Sequence, residues 1–159
     1  MVYVAYLLLC HKDPSGVVAQ ARRLTRQGDF VAIHFDRSAS NADYAQIRAA
    51  LRHDVRVVFA PRRRCGWGEW SLVAASLDLA RVALDAFPKA THFYLMSGDC
   101  MPIKPAHHIR AVLAGNNQDY IEHHDFFKSD WIKTGMRADR LIYRHFFNGT
   151  RSKNILIDF

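Results

Sequence analysis

Val2-Tyr3-Val4-Ala5-Tyr6-Leu7-Leu8-Leu9-Cys10 carries no charge and no polar alternation, and it is followed at once by His11-Lys12-Asp13-Pro14-Ser15. An uninterrupted apolar run of this length reads as a strand covered on both faces, the kind found at the centre of a parallel sheet. It is too short to cross a bilayer, which takes about 20 residues. It also lacks the basic leader and small-residue cleavage site of a secretory signal. The polar segment after it ends the strand, and Ser15 can cap a helix running to about Gln27, where Gly28 stops it.

Reading on from that strand, apolar and helical patterns alternate. Phe30 to Phe35 predicts a second strand, ending in Asp36. Asn41 to Leu51 predicts a short helix with Tyr44, Ile47 and Leu51 inward. Val55 to Phe59 predicts a third strand, closed by Pro61. The turn Cys65-Gly66-Trp67-Gly68-Glu69-Trp70 leads into the longest helix, about Ser71 to Ala86. Val73, Ala74, Leu77, Ala80, Arg81 and Leu84 recur there at helical spacing and mark a face that is apolar except for Arg81. His92 to Met96 predicts a fourth strand, Ala106 to Leu113 a helix, and Asp119 to Glu122 a last short strand. Asp130 to Leu141 has helical character, and Ile155-Leu156-Ile157 looks like the start of another buried element. The alternation predicts an α/β layered fold with a mainly parallel sheet flanked by helices.

The 159 residues favour a single domain, and half of them are hydrophobic, enough for a packed core. Twenty-two Lys and Arg against 15 Asp and Glu leave a net charge of +7, which suits an acidic partner. Part of this charge stands in Arg62-Arg63-Arg64, which is either a solvated loop or a contact for phosphate or another acidic ligand. A basic nucleic-acid-binding module has charge alone in its favour, since the aromatic and basic spacing of an RNA-binding sheet is missing. Cys10, Cys65 and Cys100 form no CxxC pair, which argues against a disulfide scaffold and fits a reducing compartment.

In parallel sheets ligands sit beyond the carboxyl ends of the strands. Three such ends carry chemistry: Cys10-His11-Lys12, His34-Phe35-Asp36-Arg37 and Ser97-Gly98-Asp99. Asp36 can accept hydrogen bonds from a ribose or a uracil ring, or can cap its own loop. A lone strand histidine such as His34 is more often packed than ligating. The sequence has no GxGxxG after the first strand and no GxxxxGK[ST], so a dinucleotide oxidoreductase and a P-loop kinase are disfavoured. No GxSxG elbow is present. His107-His108 and His123-His124 are adjacent pairs whose members point apart, so neither is a bidentate metal site. The fourth strand does not end in the DxD carboxylate pair that would hold a divalent ion against a diphosphate.

Five pieces in order resemble the core-2/I-branching β-1,6-N-acetylglucosaminyltransferase family, which also includes the peptide O-xylosyltransferases. The first strand ends in His11-Lys12. Ile33-His34-Phe35-Asp36-Arg37-Ser38 is like the family's I-H-x-D-x-[KRS] segment. Trp67-Gly68-Glu69-Trp70-Ser71 is like W-G-G-x-S. Tyr94-Leu95-Met96-Ser97-Gly98-Asp99-Cys100-Met101-Pro102-Ile103-Lys104 is like L-[SC]-G-x-D-x-P-[IL]-[KR]. Asp119-Tyr120-Ile121-Glu122 is like the F-I-E strand.

The resemblance implies a GT-A-like nucleotide-sugar-binding fold and an inverting, metal-independent transfer of a sugar of the N-acetylglucosamine or xylose type. The donor would be a UDP-sugar, the acceptor a hydroxyl of a glycan or another molecule, and no cofactor or metal is expected. It implies donor-binding roles for His11, Asp36, Trp67, Gly68, Glu69, Ser97 and Asp99, and an acceptor-binding role for Glu122. The family pattern places its acid one residue after Asp99, where this chain has Cys100. The family's catalytic base and diphosphate-binding basic pair lie further along than Phe159. The chain therefore reads as one glycosyltransferase domain over 1–159, its donor-binding half, truncated at the C-terminus. The alternative is a non-catalytic nucleotide-binding domain. The expected setting is cytoplasmic, with peripheral association at a membrane surface, and no nucleic-acid partner.

Overall fold

The computed structural model describes residues 1–116, 118–121 and 125. In chain order the elements are β1 (Val4–Cys10), α1 (Pro14–Arg26), β2 (Phe30–Phe35), α2 (Asn41–Leu51), β3 (Val57–Phe59), α3 (Trp70–Ala86), β4 (His92–Ser97) and α4 (Ala106–Ala114). The four strands form one sheet in the order β3-β2-β1-β4, and every pairing is parallel. This is the α/β architecture expected from the alternation of patterns, and it agrees with a GT-A-like fold.

The pleat explains why β1 reads as a continuous apolar run. Val4, Tyr6, Leu8 and Cys10 face one side, where Val31, Ile33 and Phe35 of β2 join them under Val17, Ala21 and Leu24 of α1 and Ile47 and Leu51 of α2. Ala5 and Leu7 face the other side with Ala32, under Leu79 and Ala83 of α3. Leu8, Ile33 and Phe35 are fully enclosed, and each such side chain contributes on the order of 1.5–3 kcal/mol by leaving water. α4 joins the α1 side through Leu113 and through Arg110, whose Nη2 bonds the buried Asp29 carboxylate at 2.8 Å.

Several local expectations are corrected. α1 is capped by Asp13, not Ser15: the Asp13 Oδ1 accepts the Gly16 N–H at 2.9 Å, and Pro14 takes the first helical position, where no N–H is needed. β3 begins at Val57 rather than Val55, because Asp54 closes a turn, accepting the Arg56 N–H on its side chain at 3.0 Å and the Val57 N–H on its carbonyl at 3.0 Å. The buried stripe of α3 is Ala75, Leu79 and Ala83, whereas Val73, Leu77 and Leu84 are exposed. The sheet face below presents the small Ala5 and Ala32 beside Leu7, and the helix packs on it through Ala75, Leu79 and Ala83. Asp119, Tyr120 and Ile121 form no strand; among the described residues they have no ladder partner. Glu122, the helix expected near Asp130 to Leu141 and the Ile155-Leu156-Ile157 segment lie outside the described residues.

Candidate functional site

The chain lays β1, β2 and β3 to one side and then returns to place β4 on the other side of β1. That reversal opens a crevice at the carboxyl ends of β1 and β4, the position at which open α/β sheets take their ligands. A cleft of about 730 Å³ lies there, with His11, His34, Asp36, Trp67, Met96 and Ser97 among its walls. Four residues singled out by sequence, His11, Asp36, Trp67 and Ser97, are thus brought to one cleft from positions up to 86 apart in the chain.

Asp36 is 8% exposed at the end of β2. Its Oδ1 accepts the Ser38 N–H, and its Oδ2 accepts the Cys65 N–H at 3.1 Å. The carboxylate therefore caps its own loop and also ties the loop before α3 to the sheet. An ionised carboxylate offers about four lone-pair sites, so these two bonds leave capacity for a ligand.

His34 is 1% exposed, and its Nε2 accepts the Arg63 N–H at 3.0 Å. That bond requires an unprotonated Nε2. Burial pushes the imidazole below its usual 6.5, against the pull of Asp36 and Asp78. His34 is thus a neutral, packed residue whose edge reaches the cleft.

The loop before α3 is shaped from within. Gly66 sits so close to Glu69 that a Cβ on it would stand 2.1 Å from the Glu69 carboxyl carbon. The Ser71 hydroxyl accepts the Gly66 N–H at 3.0 Å and donates to Glu69 Oε2 at 3.2 Å. Gly68 takes φ +73°, which glycine adopts without strain. Glu69 and Gly68 therefore set the course of the loop, while Trp67 stands 83% exposed beside the cleft. Cys65 and Gly66 also line it; sequence reading did not single them out, and the glycine two residues before Gly68 was the available signal.

Asp99 does not line the cleft. Its Oδ2 pairs with Lys12 Nζ at 3.2 Å, bridging the ends of β1 and β4 across the crevice. Gly98 donates to the Leu9 carbonyl at 2.9 Å, and the turn beyond it is gripped by the buried Gln20 side chain, which donates to the Ser97 carbonyl at 3.4 Å and to that of Cys100. Burial, with help from Asp99, pushes the Cys10 thiol up to about 12, so it stands in the cleft wall as a neutral group.

A second hollow of about 580 Å³ lies between α1, β4 and α4, walled by Tyr6, Leu24, Tyr94, Met96 and Ile109. Among the described residues no carboxylate lines it. The polar strand ends favour the other cleft. Among the described residues no three His, Cys, Asp or Glu side chains group so as to hold a metal ion, and no helix is long and apolar enough to cross a membrane.

No curated protein matches the chain. The family model described as Core-2/I-Branching enzyme matches residues 4–157, nearly the whole length, and every motif quoted above lies within the matched span. The chain belongs to the core-2/I-branching enzyme family of glycosyltransferases.

Proposed function

We propose that this chain binds the donor of an inverting glycosyltransferase that moves a sugar of the N-acetylglucosamine or xylose type from a UDP-sugar to a glycan hydroxyl without a metal ion. The observation that carries this reading is the cleft at the carboxyl ends of β1, β2 and β4, where His11, Asp36, Trp67 and Ser97 meet in a chain of this family.

In this reading Asp36 accepts hydrogen bonds from the uridine, using the lone pairs left over from Ser38 and Cys65. His11 and the Trp67–Glu69 loop border the donor, and Ser97 and Asp99 close the β4 side. Glu122 receives the acceptor sugar. During transfer the acceptor oxygen bonds to the anomeric carbon from the face opposite UDP. The bond from that carbon to the diphosphate oxygen breaks, and its electron pair leaves with UDP. A general base takes the proton from the hydroxyl; none of the residues named here is assigned that role. The sequence pattern favours metal independence, because no carboxylate pair follows β4.

Calorimetric titration with UDP tests the reading. Binding should persist in EDTA, and Asp36→Ala should weaken it roughly 10-fold or more, the scale of a hydrogen bond to an ionised group. Complete loss of affinity on chelation would refute metal independence, and unchanged affinity in the Asp36 variant would refute the donor assignment.

A further inference from the structure

The Cys65–Trp70 loop walls the cleft with Cys65, Gly66 and Trp67, and its Trp70 walls a separate recess of about 690 Å³ together with Arg37, Arg62, Arg63 and Arg64. Among the described residues no acidic side chain lines it. The four guanidiniums are not equivalent. Arg62 is consumed by the fold: it donates to the carbonyls of Phe35, Asp36 and Ala39 at 3.1, 2.7 and 2.9 Å and to Asn41 Oδ1 at 2.7 Å, and it lies 4.6 Å from the Tyr44 ring centre. Arg63 is paired with Asp78 of α3. The side chains of Arg37 and Arg64 are exposed and meet no acceptor among the described residues.

These two free cations stand on a rigid frame. The Arg37 N–H donates to the Arg63 carbonyl at 2.9 Å, and the Arg63 N–H is held by His34. The segments carrying Arg37 and Arg64 are therefore stitched to each other and to β2. Trp70 opens the long helix α3 with 72% of its surface in water. An indole presents a large flat apolar face with a single polar handle. Beside the two unpaired guanidiniums it offers that face to a ring that also carries an anion. Trp67, still more exposed, stands three residues earlier in the same loop, in the cleft wall.

We propose that this recess binds the charged end of the acceptor, beyond the sugar assigned to Glu122, and that the acceptor is an anionic glycan bearing carboxylate or phosphate groups. The inference rests on the donor reading of the neighbouring cleft and adds the chemistry of the second substrate. The reacting hydroxyl lies in the cleft, the sugar chain crosses the loop between the two indoles, and its charged group meets the guanidiniums of Arg37 and Arg64. A guanidinium fits both anions through paired N–H donors. Trp70 covers the apolar C–H face of the ring beside them. A concave, indole-walled recess next to the donor cleft suits a sugar ring better than it suits a lipid surface or a nucleic-acid backbone, both of which call for a continuous exposed patch.

The test is binding to the full chain. The probes are tetragalacturonate, its fully methyl-esterified form and a mannotetraose carrying a 6-phosphate, with phosphatidylglycerol vesicles and a single-stranded octanucleotide as comparisons. The esterified sugar should bind at least about 10-fold more weakly than one of the two charged ones, and which of them binds identifies the anion. The double substitution Arg37→Gln/Arg64→Gln should erase that difference, and Trp70→Ala should weaken the charged and the esterified sugar alike. UDP affinity and the circular dichroism spectrum should be unchanged in both variants. Equal binding of charged and esterified sugar, an unaffected double variant, or tighter binding of vesicles or oligonucleotide would overturn the proposal. Failure of both charged sugars to bind would overturn it too, whether or not UDP binds. Charged-sugar binding without UDP binding would instead uphold the recess and reject the donor reading.

Discussion

The Oδ2 atom of Asp36 accepts the backbone N–H of Cys65 at 3.1 Å. One carboxylate at the end of β2 thereby holds the Cys65–Trp70 loop against the sheet and fixes the wall of the cleft. The consequence is that Asp36 acts in two ways, through the loop and through whatever reaches its remaining lone pairs.

Asp36→Asn removes the charge and one acceptor oxygen while keeping the size of the side chain. An amide has one oxygen where the carboxylate has two, so one of the two N–H donors, Ser38 or Cys65, faces an NH₂ group instead of an acceptor. We expect UDP affinity to fall roughly 10-fold or more, as for Asp36→Ala. Intrinsic fluorescence should also change, because Trp67 and Trp70 ride on the released loop. Calorimetry and emission spectra check both. A fluorescence change with unaltered UDP affinity would restrict Asp36 to the loop.

Asp99→Ala is expected to be mild. Lys12 and Asp99 form an exposed pair, with 59% and 55% of their side chains accessible. Such pairs contribute under about 1 kcal/mol, or within about 5-fold in an equilibrium constant. The donor affinity of Asp99→Ala should therefore fall less than that of Asp36→Ala. Equal losses would assign Asp99 a direct donor contact despite its position outside the cleft wall.

Gly98→Ala tests the close approach of β4 to β1. A Cβ at Gly98 would stand 2.8 Å from Cys10 Sγ and 3.4 Å from Cys10 Cα. Overpacking of this kind costs about 1–3 kcal/mol. The urea midpoint should drop accordingly. Adding Cys10→Ala removes the sulfur and should recover part of the loss, a positive coupling in the double-mutant cycle. Strictly additive losses would show that the sulfur contact is not the cause.

His34 imposes a pH dependence. Burial lowers its folded-state pKa below the ordinary 6.5. Above that value both folded and unfolded chains hold a neutral ring, and stability is at its full value. As pH falls through 6.5 the unfolded chain takes up the proton first, so stability declines toward the lowered folded pKa. Urea midpoints between pH 8 and pH 5 should fall for the wild type and fall less steeply for His34→Gln, whose amide can still accept the Arg63 N–H. Identical slopes would show that His34 does not titrate differently on folding.

Much of this molecule is legible in residue order alone. β1 and β2 are buried on both faces, so they are written as apolar runs, broken only by His34 in β2, and they end where charge begins. The loop Cys65 to Trp70 announces itself by two glycines, one needing positive φ and one needing space for Glu69. Polar side chains stand at strand ends, where a parallel sheet puts its chemistry, so the ends at His11, Asp36 and Ser97 drew attention in the sequence, while their donor roles came from the family resemblance. What only the tertiary structure decided is which residues those strand ends meet. The order β3-β2-β1-β4 sets Ser97 beside Leu9 and opens the crevice. The small alanines of the sheet selected Ala75, Leu79 and Ala83 as the buried stripe of α3, against the larger apolar residues of another face. Three consecutive arginines that look alike in sequence were sorted by partners 15 to 27 residues away: Arg62 to carbonyls, Arg63 to Asp78, and Arg64 to none among the described residues. Periodicity carries information about a residue's own element, whereas a side chain's partner depends on where other elements come to rest, and that is set by packing between them.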